Sequence, residues 1–250
     1  MFIEPPRRDP STPLMTYYNG STGERTELST TSMLNWQAKT ANLLRDSYGL
    51  SSGSTIGLFI PTHWLVPVFI GAVAAIGGTL VIPGSSTTRT SPTDDLDLAV
   101  IGQAELTEGL PSADEYLACS LLPMAVGFDH DLPAGVEDYA IDVRAHGDFF
   151  PDLDDPTRCP QLRGGGWAID SAAVVSMSSQ LATDLSISRG DRLLIPGGEV
   201  TTSVVLAMST ITGFTSSTTV IVDQEKPQRI SAIAEQEKVT NILPREALNG

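Results

Sequence analysis

Thr55-Ile56-Gly57-Leu58-Phe59-Ile60-Pro61 is the stretch that decides the fold class of this chain. It is too apolar and too continuous for an exposed antiparallel strand, and it suits a parallel strand buried on both faces. An apolar helix predicted from about residue 63 to residue 76 follows it, and then a strand predicted over residues 79–82. Together these segments predict a βαβ unit with a right-handed crossover.

Upstream of this unit, the pattern predicts a hairpin and a first helix. Residues 15–18 indicate a short strand, and the turn Asn19-Gly20-Ser21-Thr22-Gly23 can return it as a hairpin. Apolar residues at three- and four-residue spacing then predict a helix that Ser29 or Thr30 caps and Gly49 ends.

Downstream, residues 97–101 and 116–122 indicate two more short strands, with a polar segment over residues 104–115 between them. The second half repeats the order of the first half, namely helix, glycine turn, strand, helix and strand. The simplest interpretation is a weak internal duplication. The predicted elements of the second half are a helix at 171–185, a strand that ends at Pro196, an apolar helical segment, a strand at 219–222, a helix at 227–237 and a strand at 239–243.

Strands that alternate with helices in this order predict an α/β fold with largely parallel sheets and flanking helices. We divide the chain into a first α/β subdomain at residues 1–125, an acidic connecting segment at 126–165 and a second α/β subdomain at 166–250. We expect the three parts to pack as one compact unit.

The charge balance excludes some partners. The chain has 15 Lys and Arg against 30 Asp and Glu, a formal net charge of -15, which would repel a phosphate backbone. Nucleic acids and anionic membranes are therefore not expected as partners, whereas a small-molecule ligand, a protein partner or a homo-oligomer stays open. Residues 129–155 hold nine acids and the single base Arg144, and we interpret this run as a solvated loop.

The two cysteines, Cys119 and Cys159, have no metal-binding spacing, which suits free thiols in a reducing compartment. Because the N-terminus also lacks the apolar core of a secretory signal, we predict a cytoplasmic protein. Residues 65–83 carry no charge and form the one serious membrane candidate. Their prolines and glycines, however, favour a short helix followed by a separate strand.

The motifs for phosphate binding are not intact. Neither GxxxxGK[ST] nor GxGxxG occurs in the chain. Arg163, Gly164, Gly165 and Gly166 precede a predicted helix and are weak candidates for cofactor binding, although a flexible connection is the favoured interpretation. The hydroxyl-rich run at residues 84–92 is expected to be a solvated loop. ATP or AMP thus has no intact motif, and we predict no cofactor.

The three histidines give no catalytic or metal residue. His63 opens an apolar helix and is expected to cap or pack. Asp129-His130-Asp131 is favoured as a surface loop over a metal site, because adjacent residues do not easily converge on one ion. Two interpretations stay open for Arg144-Ala145-His146-Gly147-Asp148, namely a general base or structural polar pairing.

Two long segments resemble a known superfamily. Thr22-Gly23-Glu24-Arg25-Thr26-Glu27-Leu28-Ser29 and Phe69-Ile70-Gly71-Ala72-Val73-Ala74-Ala75-Ile76-Gly77-Gly78-Thr79-Leu80-Val81-Ile82-Pro83 resemble the opening of adenylate-forming enzymes, the acyl-CoA synthetase and luciferase superfamily. Gly190-Asp191-Arg192-Leu193-Leu194 is similar to a later part of the same domain. The resemblance implies part of the N-terminal domain of acetyl-CoA synthetase-like enzymes.

The departures from this resemblance matter for function. The phosphate loop of the superfamily, a Ser/Thr/Gly-rich segment that ends in Pro-Lys, should come just before the helix at Ser171, where this chain has Cys159-Pro160-Gln161-Leu162-Arg163-Gly164-Gly165-Gly166-Trp167. The later nucleotide and magnesium motifs, and the lid with its catalytic lysine, would fall beyond Gly250. The likeness is greatest to short uncharacterised AMP-binding-enzyme-like proteins, in residues 35–44 and 138–148.

These departures lead to two hypotheses. The first is a truncated homologue that is non-catalytic and binds a small ligand or a protein. The alternative is an acyl or aryl adenylate-forming or acyl-CoA ligase activity that a partner chain completes.

Overall fold

The computed structural model describes residues 11–83, 95–151, 153, 159–164, 166–213, 218–223 and 225–244, with the backbone alone for 210–213. The strands are β1 Pro13–Asn19, β2 Glu24–Ser29, β3 Thr55–Phe59, β4 Thr79–Val81, β5 Leu98–Ile101, β6 Glu115–Ala118, β7 Val136–Asp138, β8 Gln161–Gly164, β9 Trp167–Ile169, β10 Arg192–Pro196, β11 Thr218–Asp223 and β12 Asn241–Ile242. The helices are α1 Thr30–Asp46, α2 Leu65–Ile76, α3 Gln103–Glu108, α4 Tyr139–Asp142, α5 Ser171–Asp184, α6 Thr202–Gly213 and α7 Pro227–Gln236.

The described strands form two sheets. Sheet A has the order β12-β10-β11-β1-β2, and sheet B has the order β7-β6-β5-β3-β4-β8-β9. Neighbouring strands are parallel except in the two hairpins, β1–β2 and β8–β9. The predicted α/β class with largely parallel sheets is confirmed.

The main core lies between the two sheets. It combines Tyr17 of β1 and Ile195 of β10 with Leu58 of β3, and it includes Phe69 of α2 and Val204 of α6. On the opposite face of sheet A, a smaller cluster joins apolar strand residues to Ile233 of α7. A third cluster covers the opposite face of sheet B and includes Leu106 of α3. Helices thus flank both sheets.

The βαβ unit predicted from residues 55–82 is confirmed. β3 and β4 are parallel neighbours with α2 between them in sequence, and Gly77 ends α2 at a φ of 73°, which favours glycine. The uncharged stretch at 65–83 is therefore a helix and a separate strand, as predicted. Over the described part of the chain, the helices are too short or too polar to cross a membrane. The cytoplasmic location and the partner expectations stay predictions.

The predicted repetition of element order is present in the structure. The order α1-β3-α2-β4 recurs as α5-β10-α6-β11. Each copy contributes one pair of adjacent parallel strands, β3–β4 to sheet B and β10–β11 to sheet A. Within each copy, the two helices pack against each other.

The acidic run was wrongly predicted to be a solvated loop throughout. It contains β7 and α4, and the Asp138 carboxylate is buried, where it accepts hydrogen bonds of 2.9 Å from the Phe128 and Ala140 N–H groups. Tyr139 is 1% exposed. Because Asp138 caps α4 while Tyr139 packs in the core, this part of the run folds. Asp152, Asp154 and Asp155 lie outside the described residues.

Smaller differences concern short elements. The polar segment at 104–115 includes most of α3, and β6 ends at Ala118 rather than at residue 122. Cys119 and Cys159 are buried and do not form a disulfide. Both sheets contain strands from before and after the acidic segment, and the domain divisions at residues 125 and 165 stay predictions.

Candidate functional site

The carboxyl ends of parallel strands from both sheets meet at one place. Asn19 ends β1 and Asp223 ends β11, whereas Thr62 follows β3. The Thr62 N–H donates a 2.8 Å hydrogen bond to the carbonyl of Gly198, which follows β10. Ligands of open parallel α/β sheets bind outside the carboxyl ends of the strands. This junction is therefore the candidate site.

A row of polar side chains crosses three neighbouring strands at this end of sheet A. Asn19 is opposite Glu24 on β2 and opposite Asp223 on β11, so the three side chains project from the same face. Their exposures are 9%, 7% and 5% respectively. A Cβ atom on Gly197 would lie 2.3 Å from Asp223 Oδ1. The Asp223 carboxylate thus lies directly over the glycine that follows β10.

Tyr17 lies two residues before Asn19 on the same face of β1. The Asn19 Nδ2 group donates a 3.0 Å hydrogen bond to the Tyr17 hydroxyl. Burial raises the pKa of Tyr17, and the hydrogen bond from Asn19 offsets part of this rise, while the charges of Asp223 and Glu24 add to it. Tyr17 therefore stays a neutral phenol at physiological pH.

His63 borders this row from the side of sheet B. It is 1% exposed, and its ring centroid lies 4.5 Å from that of Tyr17 in an edge-to-face arrangement. Its Nδ1 atom accepts a 3.2 Å hydrogen bond from the Leu65 N–H at the start of α2, which places the proton on Nε2. Burial lowers the pKa of His63 to about 3. The prediction that His63 caps or packs is confirmed, since it does both.

At this site, two buried polar atoms have no hydrogen-bond partner among the described residues. Glu24 Oε1 accepts a 2.5 Å hydrogen bond from the Thr26 hydroxyl, whereas Glu24 Oε2 has no partner. The second atom is Nε2 of His63. A buried polar group without a partner costs about 1–3 kcal/mol, and in native proteins a water, ion or ligand commonly satisfies it. The site thus has an acceptor at Glu24 and a donor at His63.

The chemistry of this set favours some ligands over others. It consists of two carboxylates, a neutral imidazole, a phenol and an amide, and it includes no lysine or arginine. Such groups hydrogen-bond to a neutral or cationic polar molecule, whereas a phosphate would be repelled by Glu24 and Asp223. Within the residues that the structure describes, no group of three His, Cys, Asp or Glu side chains is placed to hold a metal ion.

The glycine segment proposed for cofactor binding forms a hairpin. Arg163 and Gly164 lie in β8, which pairs in parallel with β4 and antiparallel with β9, and Gly166 has a φ of 89° in the turn. Gly165 lies outside the described residues. The favoured flexible connection was wrong, because both flanks of the turn are paired in sheet B. A Cβ atom on Gly164 would lie 2.5 Å from the indole of Trp167, which covers this position.

The remaining histidine segments have structural contacts. Asp129 and His130 are joined by an exposed hydrogen bond of 3.0 Å, as expected for a surface loop. Arg144 Nη2 donates to the Ala125 carbonyl at 2.9 Å, and the His146 carbonyl accepts a 2.6 Å hydrogen bond from Lys39 Nζ. These contacts favour structural polar pairing over a general base for residues 144–148.

Helix α1 holds the segment that follows α4, and this role was missed in the sequence. Asn42 Nδ2 donates 2.9 Å hydrogen bonds to the carbonyls of Gly147 and Phe149, and the Arg45 guanidinium lies 4.9 Å from the centre of the Phe150 ring. The hydrogen bond from Asn42 to Gly147 joins the two segments, 35–44 and 138–148, on which the resemblance to short uncharacterised proteins rests.

The polar row was also missed in the sequence. Asn19 and Asp223 are 204 positions apart, and only strand register brings them together. A signal was present nonetheless, since each is a polar residue at the end of an apolar strand in a parallel sheet, where ligand-binding side chains are expected.

Comparison with known proteins extends these observations. No family model matches the chain. The chain is 37% identical over 146 residues to the TIGR03089 family protein of Mycobacterium tuberculosis, a match that covers 57% of each protein. The match thus spans little more than half of that relative.

Solved structures show the same fold. The acetoacetyl-CoA synthetase from Streptomyces lividans aligns with a TM-score of 0.67 and 17% identity, over 93% of this chain and 40% of the other. The fatty acyl CoA synthetase of Mycobacterium tuberculosis aligns with a TM-score of 0.66 and 14% identity, over 89% of this chain and 44% of the other. The N-terminal domain of FACL13 from Mycobacterium tuberculosis aligns with a TM-score of 0.60 and 15% identity, over 90% of this chain and 57% of the other. The chain therefore has the fold of part of the N-terminal domain of acyl-CoA synthetase-like enzymes.

Proposed function

We propose that this protein binds a small ligand at the carboxyl ends of its two sheets and does not adenylate it. The fold is that of part of an adenylate-forming enzyme, but the geometry of the β8–β9 hairpin and the charge of the polar row favour a different use of that fold.

The β8–β9 hairpin is the observation that carries the non-catalytic part. The resemblance to adenylate-forming enzymes implies a phosphate loop just before α5. Here Gly164 pairs directly with Trp167, so that only Gly165 and Gly166 separate the paired strands. Arg163 is the one basic residue between positions 159 and 170. Since catalysis of phosphoryl and adenylyl transfer depends on stabilising the charge of the triphosphate, this hairpin does not support that chemistry.

The polar row supports the binding part of the proposal. Glu24 and Asp223 are buried on either side of Asn19, and the unpaired Oε2 of Glu24 and Nε2 of His63 supply an acceptor and a donor. An amide or hydroxyl group can donate to Glu24 Oε2 and accept from His63 Nε2 without adding negative charge, whereas an ammonium group can only donate to Glu24 Oε2. We therefore expect a neutral or cationic ligand rather than a nucleotide.

A thermal-shift screen tests this proposal. The purified protein is scanned with amines, amides and polyols, and in parallel with ATP, AMP and CoA. Specific binding increases the free energy of unfolding by mass action, by about 2.7 kcal/mol at a ligand concentration of one hundred times Kd. The unfolding midpoint rises accordingly. We expect a neutral or cationic compound to shift wild type and to lose this effect in Glu24→Gln, which keeps the shape of the side chain but removes its charge.

The control for this screen is Glu115→Gln, an exposed carboxylate outside the polar row, which should respond as wild type does. A shift by ATP or AMP that persists in Glu24→Gln would contradict the proposal, as would a complete lack of response to the neutral and cationic compounds.

The second candidate is acyl or aryl adenylate formation that a partner chain completes. The likeness to solved structures named as acyl-CoA synthetases favours it. Acyl-sulfamoyl adenosines, added to the same screen, test it directly. A midpoint shift by these compounds would favour this candidate over the first.

A further inference from the structure

The loop after β6 has an unusual backbone. Leu121, Met124 and Ala125 have φ values of 56°, 60° and 49°, a region that residues with side chains seldom adopt. Three such residues within five positions require that the surrounding structure hold the loop in place, and strain of this kind clusters at functional segments.

Hydrogen bonds hold this loop at both ends. The Ser120 hydroxyl donates to the Val126 carbonyl, and the Ala125 N–H donates to the Leu122 carbonyl at 3.1 Å. From outside the loop, Arg144 Nη2 donates to the Ala125 carbonyl at 2.9 Å. These hydrogen bonds hold the backbone of the loop.

The side chains that it presents are apolar and exposed. Leu122, Met124 and Val126 are 39%, 80% and 52% exposed. Ile141 of α4 is 67% exposed and lies beside the loop, because a Cβ atom on Gly127 would lie 3.6 Å from Ile141 Cγ1. We call these four side chains the Met124 patch. Apolar side chains that cluster on a surface mark interaction sites, whereas scattered ones do not.

The segment of chain that carries the Met124 patch is acidic. Residues 115–151 contain seven Asp and Glu against Arg144 as the only Lys or Arg, and the Arg144 guanidinium is bonded to the loop backbone. Asp142 lies next to Ile141 in sequence. Burial raises the pKa of Asp142, and the nearby charges of Glu137 and Asp138 raise it further. Like charge at close range disfavours a second copy of this chain or an anionic membrane, and complementary charge favours a cationic partner.

We propose that the Met124 patch is a docking surface for another protein, one that presents apolar side chains flanked by lysine or arginine. Four side chains cover much less than the roughly 800 Å² that a standard interface buries on each partner. The contact is therefore weak, and salt screens it.

Two synthetic helical peptides provide the test. They share one leucine face, which lysines flank in the first and glutamates flank in the second. Fluorescence anisotropy with the full chain is expected to show that the lysine peptide binds, that its affinity falls as salt is added, and that the glutamate peptide does not bind. Met124→Gly combined with Ile141→Ser is expected to weaken binding by at least about tenfold, as for the loss of a central contact.

The design separates binding from folding. Met124→Gly relieves the left-handed backbone while it removes the side chain, so the thermal midpoint should not fall. Leu110→Ser with Met177→Ser, which removes two exposed apolar side chains elsewhere, should bind as wild type does. The proposal is overturned if the lysine peptide fails to bind or binds the patch variant equally well. It is also overturned if the glutamate peptide or anionic vesicles bind through the patch, or if the patch mediates a dimer in sedimentation.

Discussion

The two copies of the repeated unit, α1-β3-α2-β4 and α5-β10-α6-β11, differ most where their first strands end. Near the end of β3 the chain reads Pro61-Thr62-His63, and at the end of β10 it reads Pro196-Gly197-Gly198. The first copy thus places an imidazole at the candidate site, whereas the second copy leaves the space that the Asp223 carboxylate occupies. Equivalent segments of the two copies therefore have different roles, since the first contributes a side chain and the second accommodates the side chain of another strand.

The copies also differ in how deeply their helices are buried. In α1, eight of 17 residues are buried, whereas in its counterpart α5 only three of 14 are buried. α1 therefore contributes more to the core than α5 does, and the following predictions test the differences between the copies from the largest expected effect to the smallest.

Removal of a large side chain from α2 should have the greatest effect. Phe69 is 0% exposed and packs against Tyr139 with 5.1 Å between ring centroids. We expect Phe69→Ala to reduce the free energy of unfolding by about 3–5 kcal/mol. Met177→Ala in α5, where the side chain is 41% exposed, should change it by less than about 1 kcal/mol. Urea titration of both variants measures the contrast, and equal losses would refute the difference in burial between these two positions.

A side chain at Gly197 should be the next most damaging change. A Cβ atom there would lie 2.4 Å from the Asp223 Cα atom, so the backbone of Gly197 or of Asp223 must move to admit it. We expect Gly197→Ala to lower the free energy of unfolding by about 2–3 kcal/mol. The matched change in the first copy is Thr62→Ala, which adds no atoms and should cost less. If thermal unfolding ranks the two variants the other way, the difference drawn between the strand ends does not hold.

His63 should make stability depend on pH. Its pKa is lowered to about 3 in the folded protein, against about 6.5 in an unfolded chain. The unfolded state therefore binds the proton first, and stability falls as the pH drops from about 6.5 towards 3, by at most about 1.4 kcal/mol per pH unit. Chemical denaturation of His63→Gln should lack this loss. His130→Gln, at an exposed position, should retain it, and a retained slope in His63→Gln would disprove the assignment.

The smallest expected effect concerns Glu237, just after α7, on the far side of the second copy. Its carboxylate accepts hydrogen bonds from the Tyr18 hydroxyl and from Arg192 Nη2 at 2.6 Å, and it pairs with Arg25 at 3.2 Å. Burial raises its pKa, but these partners outweigh burial and the net pKa is lowered. Its stabilising contribution is therefore complete above the unfolded pKa and is lost as the pH falls through the folded value.

Glu237→Gln should consequently cost about 1 kcal/mol at neutral pH and should flatten the loss of stability below about pH 4. Differential scanning calorimetry between pH 3 and pH 7 measures both effects. If the variant loses as much stability between pH 7 and pH 3 as wild type does, Glu237 contributes nothing to stability through its charge.

The elements that the sequence predicted well are those whose signal is local. Continuous apolar runs predicted β3, α2 and β4, and three- to four-residue spacing predicted α1. β8 and β9 were missed because strands of four and three residues with a glycine at the turn have no periodicity to detect. β7 and α4 were missed because the charge of the acidic run masked the packing of Tyr139.

The candidate site was harder to predict, because its residues come together only through strand pairing. His63 was singled out from its neighbours, and its packing role was predicted correctly. Asn19, Glu24 and Asp223 belong to strands whose register no local pattern specifies. The arginine and glycines at 163–166 were proposed from local composition, and the hairpin places them in sheet B.

The central claim is that this fold binds a ligand without activating it, and ATP–pyrophosphate exchange tests that claim most directly. The purified full chain is assayed with magnesium, ATP and labelled pyrophosphate across a broad panel of carboxylic acids, beside an active acyl-CoA synthetase as the positive control. We expect exchange at the level of the blank with every acid. Exchange above the blank that depends on one of the acids, and that co-purifies with the protein, would contradict the claim.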